Sequence, residues 1–156
     1  LNRKYSAIFT NREIQTTQIE SRFIGEENLY VNLDQFMYLA NQRQVTFKEL
    51  AGLSFVVLND IGPWKTIIQE NIPDAKFLYQ TEYDALSELT KYTSFSFSTT
   101  NVTQPNNTYD TTDTVALPIT DRSATMTFYV TYLKSQRKTI APLAKRLTRI
   151  WSEGKK

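Results

Sequence analysis

The side chains able to do chemistry in this chain are few in kind. It contains no histidine and no cysteine. That removes the usual general base, the Ser-His triad, thiol nucleophiles, disulfides and most zinc sites. Asp60, Glu82 and Asp84 are the carboxylates nearest plausible pocket positions, and they form no acid/base pair with catalytic logic. No enzyme, metal or cofactor is expected. What remains is binding chemistry, carried by three short segments that each follow a candidate strand: Thr10-Asn11, Asn59-Asp60-Ile61-Gly62-Pro63-Trp64, and Thr99-Thr100-Asn101. Threonine hydroxyls and asparagine amides both donate and accept hydrogen bonds. Trp64 adds a flat apolar face with one N–H. Ligands of open α/β sheets settle at the carboxyl ends of strands. If these three ends meet, they form a polar rim beside Trp64, suited to a small molecule. Blander readings stand beside this one. Trp64 also suits a core anchor, Asp60 a helix cap, and Thr10 and Thr99 ordinary strand ends. Lys65 favours an anionic ligand and Asp60 opposes one, so the ligand's charge stays open.

The elements that must position these residues centre on LSFVVLNDIGPWKTIIQEN, Leu53 to Asn71. Ser54 to Leu58 is a short apolar run with β-branched Val56 and Val57, which suits a buried strand. Asn59 to Pro63 break it. Trp64, Ile67, Ile68 and Ile72 then fall on one helical stripe. Pro63 fits the first helical turn, and Gly62 permits a tight turn or a close backbone approach. A strand turning sharply into a helix exposes amide N–H groups at the helix start. Part of the isoleucine stripe suits either core or an oligomer interface.

Upstream, strands are expected at 5–10, 19–24 and 29–33, with Gly25 to Asn28 as a turn. Residues 34–44 read equally as helix or loop. Thr46-Phe47-Lys48-Glu49 matches a capping box, and Gly52 fits the stop of a very short helix. Downstream, 76–81 reads as a strand and 83–92 as a helix with Tyr83, Leu86 and Leu89 facing inward. Residues 94–99 read as a half-buried strand with Phe95 and Phe97 on one side. Asn101 to Asp113 reads as a long exposed loop, and its two glycosylation sequons, at Asn101 and Asn106, as chance matches. Strands at 114–119 and 125–133 precede a turn at 135–139. Pro142 is expected in the first turn of a last helix that carries Ile140, Leu143, Leu147, Ile150 and Trp151 on one face. The opposite face, with Lys145, Arg146 and Arg149, reads as solvated surface. Strands alternating with helices predict an α/β layer with a mainly parallel sheet.

The totals agree with a globular fold. Of 156 residues, 40% are hydrophobic and 13% aromatic, enough for a real core. The net charge of +2 gives no strong case for nucleic acid or an acidic partner. No run reaches the length of a membrane-spanning helix, and no signal peptide opens the chain. The chain starts without Met, almost directly in a strand, and is expected to be an excised piece of a longer protein.

The order of these parts resembles LysR-type transcriptional regulators. VTFKELAGLSFVVL (45–58) resembles the short helix and strand that open the second lobe of their effector-binding domain. LYVNL (29–33) is similar to their first crossing strand, and KFLYQTEYDALSELTKYTSFSFSTTN (76–101) to their strand, helix and strand. VALPITDRSATMTFYVTYLKSQRKTIAPLAKRLTRIW (115–151) resembles their last strand, returning crossing strand and final helix. The resemblance covers nearly the whole chain and lies in order and spacing, not in one motif. It implies a type 2 periplasmic-binding-protein-like fold with one complete lobe, at 32–126. Residues 1–31 would be a remnant of the first lobe, and 127–156 its returning strand and C-terminal helix. It also implies a small-molecule effector bound between lobes, walled by Asn59 to Trp64, Thr10-Asn11 and Thr99 to Asn101. A homodimer or homotetramer in the cytoplasm is implied, with no membrane partner. Contact with DNA would come only through an N-terminal helix-turn-helix absent here. Glycines common in the family before the SFSFST-type strand are replaced by Tyr92-Thr93-Ser94, a departure that weakens a tightly closed cleft. A transporter's solute-binding protein shares the fold and is the alternative.

Overall fold

The structure, a computed structural model, describes residues 4–103 and 113–153, the side chains of Tyr83 and Ser87 apart. Most of the expected 101–113 loop, with the Asn106 sequon, lies outside the described residues, as does the side chain of Tyr83. The strands are β1 (Ala7–Thr10), β2 (Ile19–Asp34), β3 (Ser54–Leu58), β4 (Lys76–Gln80), β5 (Ser96–Thr100), β6 (Thr114–Pro118) and β7 (Thr125–Leu133). The α-helices are α1 (Pro63–Asn71), α2 (Tyr83–Tyr92) and α3 (Arg137–Glu153). The chain divides into two compact units, residues 28–124 and residues 1–27 with 125–156.

In the unit of residues 28–124, β3 lies between β4 and β5 and is parallel to both. The second half of β2 pairs antiparallel with β5 on one side and β6 on the other. Phe55 is level with Phe77 and with Ser96, so these side chains share a face. The rings of Phe55 and Phe77 are 6.0 Å apart, and those of Phe77 and Tyr79 6.2 Å. Helix α1 lies on this face. The Gln69 side chain donates to the Tyr79 hydroxyl, and Lys65 Nζ sits 4.8 Å above the Tyr79 ring. Helix α2 packs on β3 and β4. Right-handed β-α-β crossovers put α1 and α2 on opposite faces of the sheet. Leu29, Val31, Leu33, Leu50, Phe55 and Ile68 are among the buried core residues.

The capping box forms as its spacing requires. Glu49 Oε2 accepts from Thr46 N at 2.7 Å, and Glu49 N donates to Thr46 Oγ1 at 3.4 Å. The Thr46 backbone N–H, and then its hydroxyl, hold the Glu49 carboxyl below its usual range. Only a 3-10 turn, Lys48–Leu50, follows before Gly52 at φ 74°. The ambiguous 34–44 segment is mostly turns, with a 3-10 turn at Tyr38–Asn41.

In the other unit, β7 lies between β1 and the first half of β2, and α3 packs against the sheet. Ile24, Val130, Tyr132, Ile140 and Ala144 form its core, with Leu147 and Trp151 packed against them. A charge network, buried at Glu20 and Tyr132 and exposed at its arginines, ties strand to helix. Arg137 donates to Glu20 through Nε (2.9 Å) and Nη2 (2.5 Å). Arg22 Nε donates to the Tyr132 hydroxyl at 2.8 Å. Hydrogen bonds from Arg137, then from Tyr132, pull the Glu20 carboxyl down to about 2.

Four local expectations change. The predicted turn at Gly25 to Asn28 does not form, and β2 runs unbroken for 16 residues. Gly25 is needed for clearance: a Cβ there would stand 2.6 Å from Trp151 Cγ and nearer still to Cδ1 and Nε1. Helix α3 starts at Arg137, so Pro142 lies inside it and not in its first turn. The two-point Arg137–Glu20 pair anchors the helix upstream of the proline. Leu143 and Ile150 are exposed, and Ala144 takes the inward place between Ile140 and Leu147. Strand β5 is buried on both faces, since Ser96 and Thr100 are covered as well as Phe97 and Thr99.

Candidate functional site

Two of the three predicted segments come together inside the unit of residues 28–124. Val56 of β3 is level with Phe97 of parallel β5. Continuing that register sets Leu58 beside Thr99 and Asn59 beside Thr100. The turn Asn59 to Trp64 and the end Thr99 to Asn101 therefore leave the sheet side by side, at its carboxyl edge. Asn59 N donates to Gln80 O at 2.8 Å, which ties the end of β4 to the same edge. Thr10 and Asn11 belong to the other unit. There Thr10 ends β1, and its Oγ1 donates to Arg12 O at 2.9 Å and lies 2.8 Å from Thr131 Oγ1. Asn11 is exposed.

The β3–α1 turn has the backbone its sequence calls for. Gly62 sits at φ 59°, ψ −141°, a region that side chains other than glycine's strongly disfavour. Open space surrounds the position of a Cβ there, so conformation alone demands the glycine. Pro63 occupies the first turn of α1, and no side chain caps that helix. Asp60, the expected cap, is exposed, and the N-cap position is held by Gly62. An uncapped N-terminus leaves first-turn amides and the positive end of the helix dipole available to an acceptor.

Around this turn the side chains separate into those already engaged and those not. Thr99 is buried, and its Oγ1 accepts from Asn32 Nδ2 at 2.9 Å. Thr100 N donates to Thr103 Oγ1 at 2.9 Å within the turn that closes β5. Asn101 Oδ1 accepts from Asn28 N at 2.6 Å. The two threonines and Asn101 thus shape the edge. Asn59 Oδ1 accepts from Lys65 Nζ at 3.0 Å, and Asn59 is exposed. Ile61 is half-buried. Trp64 is 6% exposed, so it is a core residue and not an open platform, yet its indole N–H has no hydrogen-bond partner among the described residues.

Sequence reasoning did not single out Tyr79, Gln69 or Ser98. Tyr79 and Gln69 join Lys65 in one cluster beside the turn. Ser98 Oγ is buried without a partner among the described residues, on the face that α1 covers. Only alternation along β4 and β5 could have signalled them, and it says nothing until the strand order is known. Among the described residues, no group of three or more Asp or Glu could hold a metal. No helix among them is long and apolar enough to cross a membrane.

No family model matches the sequence, and no curated protein is similar to it at the sequence level. Solved structures are similar in fold. The reduced OxyR regulatory domain of Pseudomonas aeruginosa superposes with a TM-score of 0.72 at 12% identity, over 94% of this chain and 74% of that one. The regulatory domain of MetR, a LysR family regulator from N. meningitidis, gives 0.65 at 10% identity, over 95% and 71%. The effector-binding domain of a BenM variant gives 0.66 at 14% identity, over 95% and 71%. The chain has the mixed α/β, periplasmic-binding-protein-like fold of LysR regulatory domains.

Proposed function

We propose that this chain is the effector-sensing regulatory domain of a LysR-type transcription factor. A small polar molecule binds at the carboxyl edge of the β3/β5 sheet and modulates DNA binding by the full-length oligomer. The observation that carries the reading is one juxtaposition. The parallel ends of β3 and β5 bring Asn59 to Trp64 beside Thr99 to Asn101, next to an uncapped helix start and a buried, unpartnered indole N–H. Indole N–H, Lys65 ammonium and Asn59 amide are all donors, so the effector presents acceptor oxygens. The effector acts by binding one arrangement of the protein more tightly than another. The working form is a cytoplasmic homodimer or homotetramer that meets DNA through a separate N-terminal domain. Catalysis plays no part. The similar solved structures are regulatory domains, which favours this reading over a transporter's solute-binding protein.

The test uses two single substitutions. In the full-length regulator, Trp64→Phe removes the indole N–H with part of the ring while keeping an aromatic side chain in the core, and Lys65→Met removes the ammonium, its charge and its hydrogen bond to Asn59 while keeping an unbranched chain. Each is expected to abolish the response to inducer in a promoter-fusion assay while operator binding persists. Normal induction in both variants refutes the site. The 156-residue chain alone is expected to give no operator-specific gel retardation.

A further inference from the structure

The flank of α3 that faces β2 forms a groove of ≈ 1080 Å³, wholly within the unit of residues 1–27 and 125–156. Its floor is apolar: the half-exposed Phe23 ring on the strand side, and Ala141, Pro142 and Ala144 on the helix side. Phe23 is held edge-on against Tyr129, with centroids 6.2 Å apart. Positions 141 to 152 span about 16 Å at the α-helical rise, roughly three turns. The rim is cationic on both walls, with Arg22 on β2 and Lys145, Arg146 and Arg149 on α3. Among the described residues Glu153 pairs with Arg149 at 3.4 Å on the exposed surface, and Arg22 acts electrostatically on Glu20. Among the described residues Lys145 and Arg146 make no ion pair.

Two backbone carbonyls of β2 already accept hydrogen bonds from side chains of α3. Thr148 Oγ1 donates to Phe23 O and Trp151 Nε1 to Glu26 O, both at 3.1 Å. An occupant adding as a strand would have to displace both. A fatty acid would set one charge at one end of a groove whose cations spread along its length. A nucleic-acid backbone would use the rim and leave the apolar floor unfilled. What matches is a helix with one apolar stripe flanked by carboxylates. We propose that the β2–α3 groove docks an acidic, amphipathic helical segment of a partner protein. The proposal does not depend on the effector site described above.

The probe is a fluorescein-labelled peptide of about 18 residues, with leucines at helical i, i+3, i+4, i+7 spacing and glutamates elsewhere. Its control is an isomer of the same composition with the leucines scattered. Saturable anisotropy with the whole chain is expected, with the amphipathic isomer binding at least about tenfold more tightly. Lys145→Glu with Arg149→Glu should weaken binding at least about tenfold, with the far-ultraviolet circular dichroism unchanged. Ala141→Trp, which fills the floor and leaves every charge in place, should do the same. Amide shift changes should fall on α3 and on residues 22–25. Equal binding of both isomers, indifference to the charge reversals and to Ala141→Trp, or tighter binding of dodecanoate or duplex DNA than of the peptide would each overturn the proposal.

Discussion

Gly25→Ala tests how α3 is joined to the sheet. In a strand, alanine for glycine ordinarily stabilises by about 0.5–1 kcal/mol, because glycine loses more freedom on folding. Here the new methyl would collide with three atoms of the Trp151 indole, which is rigid and backed by Phe128 at 5.7 Å. The ring must leave its place. That costs about 1–3 kcal/mol in displaced packing, and the Phe128 pairing is worth about 0.5–1.5 kcal/mol. The hydrogen bond from Trp151 Nε1 to Glu26 O, at 3.1 Å, is lost with it, at about 1 kcal/mol. After the backbone gain, the net loss is about 1.5–5 kcal/mol, a large part of the roughly 5–15 kcal/mol of a typical domain. Urea unfolding followed by far-ultraviolet circular dichroism should show a midpoint about 1–2 M lower. The decisive measurement is the double-mutant cycle with Trp151→Ala. Once the indole is gone, Gly25→Ala should be neutral or slightly stabilising. An equal loss in both backgrounds would refute the clearance argument, and so would a loss below about 0.5 kcal/mol in the parent chain.

Glu20 provides a pH signature. Its folded pKa of about 2 lies below the ordinary 4.5, so its contribution is complete above pH 4.5 and is lost as the pH falls toward 2. Glu20→Gln should flatten the acid limb of the stability profile by up to about 1.4 kcal/mol per pH unit in that window, and an unchanged slope counts against the network. Gly62→Ala should cost about 1–3 kcal/mol from backbone conformation alone. Since its surroundings are open, Gly62→Ser should cost a similar amount, and a much larger loss for serine would point to a steric cause.

Much of the local structure was legible because it depends on neighbours in the chain. Val56 and Val57 between polar breaks make a strand, Gly62-Pro63 starts a helix, and Thr46 with Glu49 closes a capping box whatever surrounds them. The turn Asn59 to Trp64 was visible for the same reason. Two of its residues changed role once packing was known. Trp64 became a buried core residue with an unanswered N–H, and Asp60 was left exposed where a cap was expected. Tyr79 and Ser98 stayed hidden because the β3–β4 and β3–β5 pairings that bring them to one face join residues some 20 to 40 positions apart.

Where glycine and proline were read as local stops, contacts across more than 100 residues overrode them. Gly25 continues β2 because Trp151 needs the space, and Pro142 sits within α3 because Glu20 anchors Arg137 ahead of it. By itself the sequence determined most of the strand and helix segments though not all of their bounds, the absence of His and Cys chemistry, and the special backbone at Gly62. Only the tertiary structure decided which strand ends share an edge, which polar groups remain unpaired, and that the basic flank of α3 borders an apolar groove. Periodicity is a property of a segment, whereas strand order, burial and hydrogen-bond satisfaction belong to the packed chain.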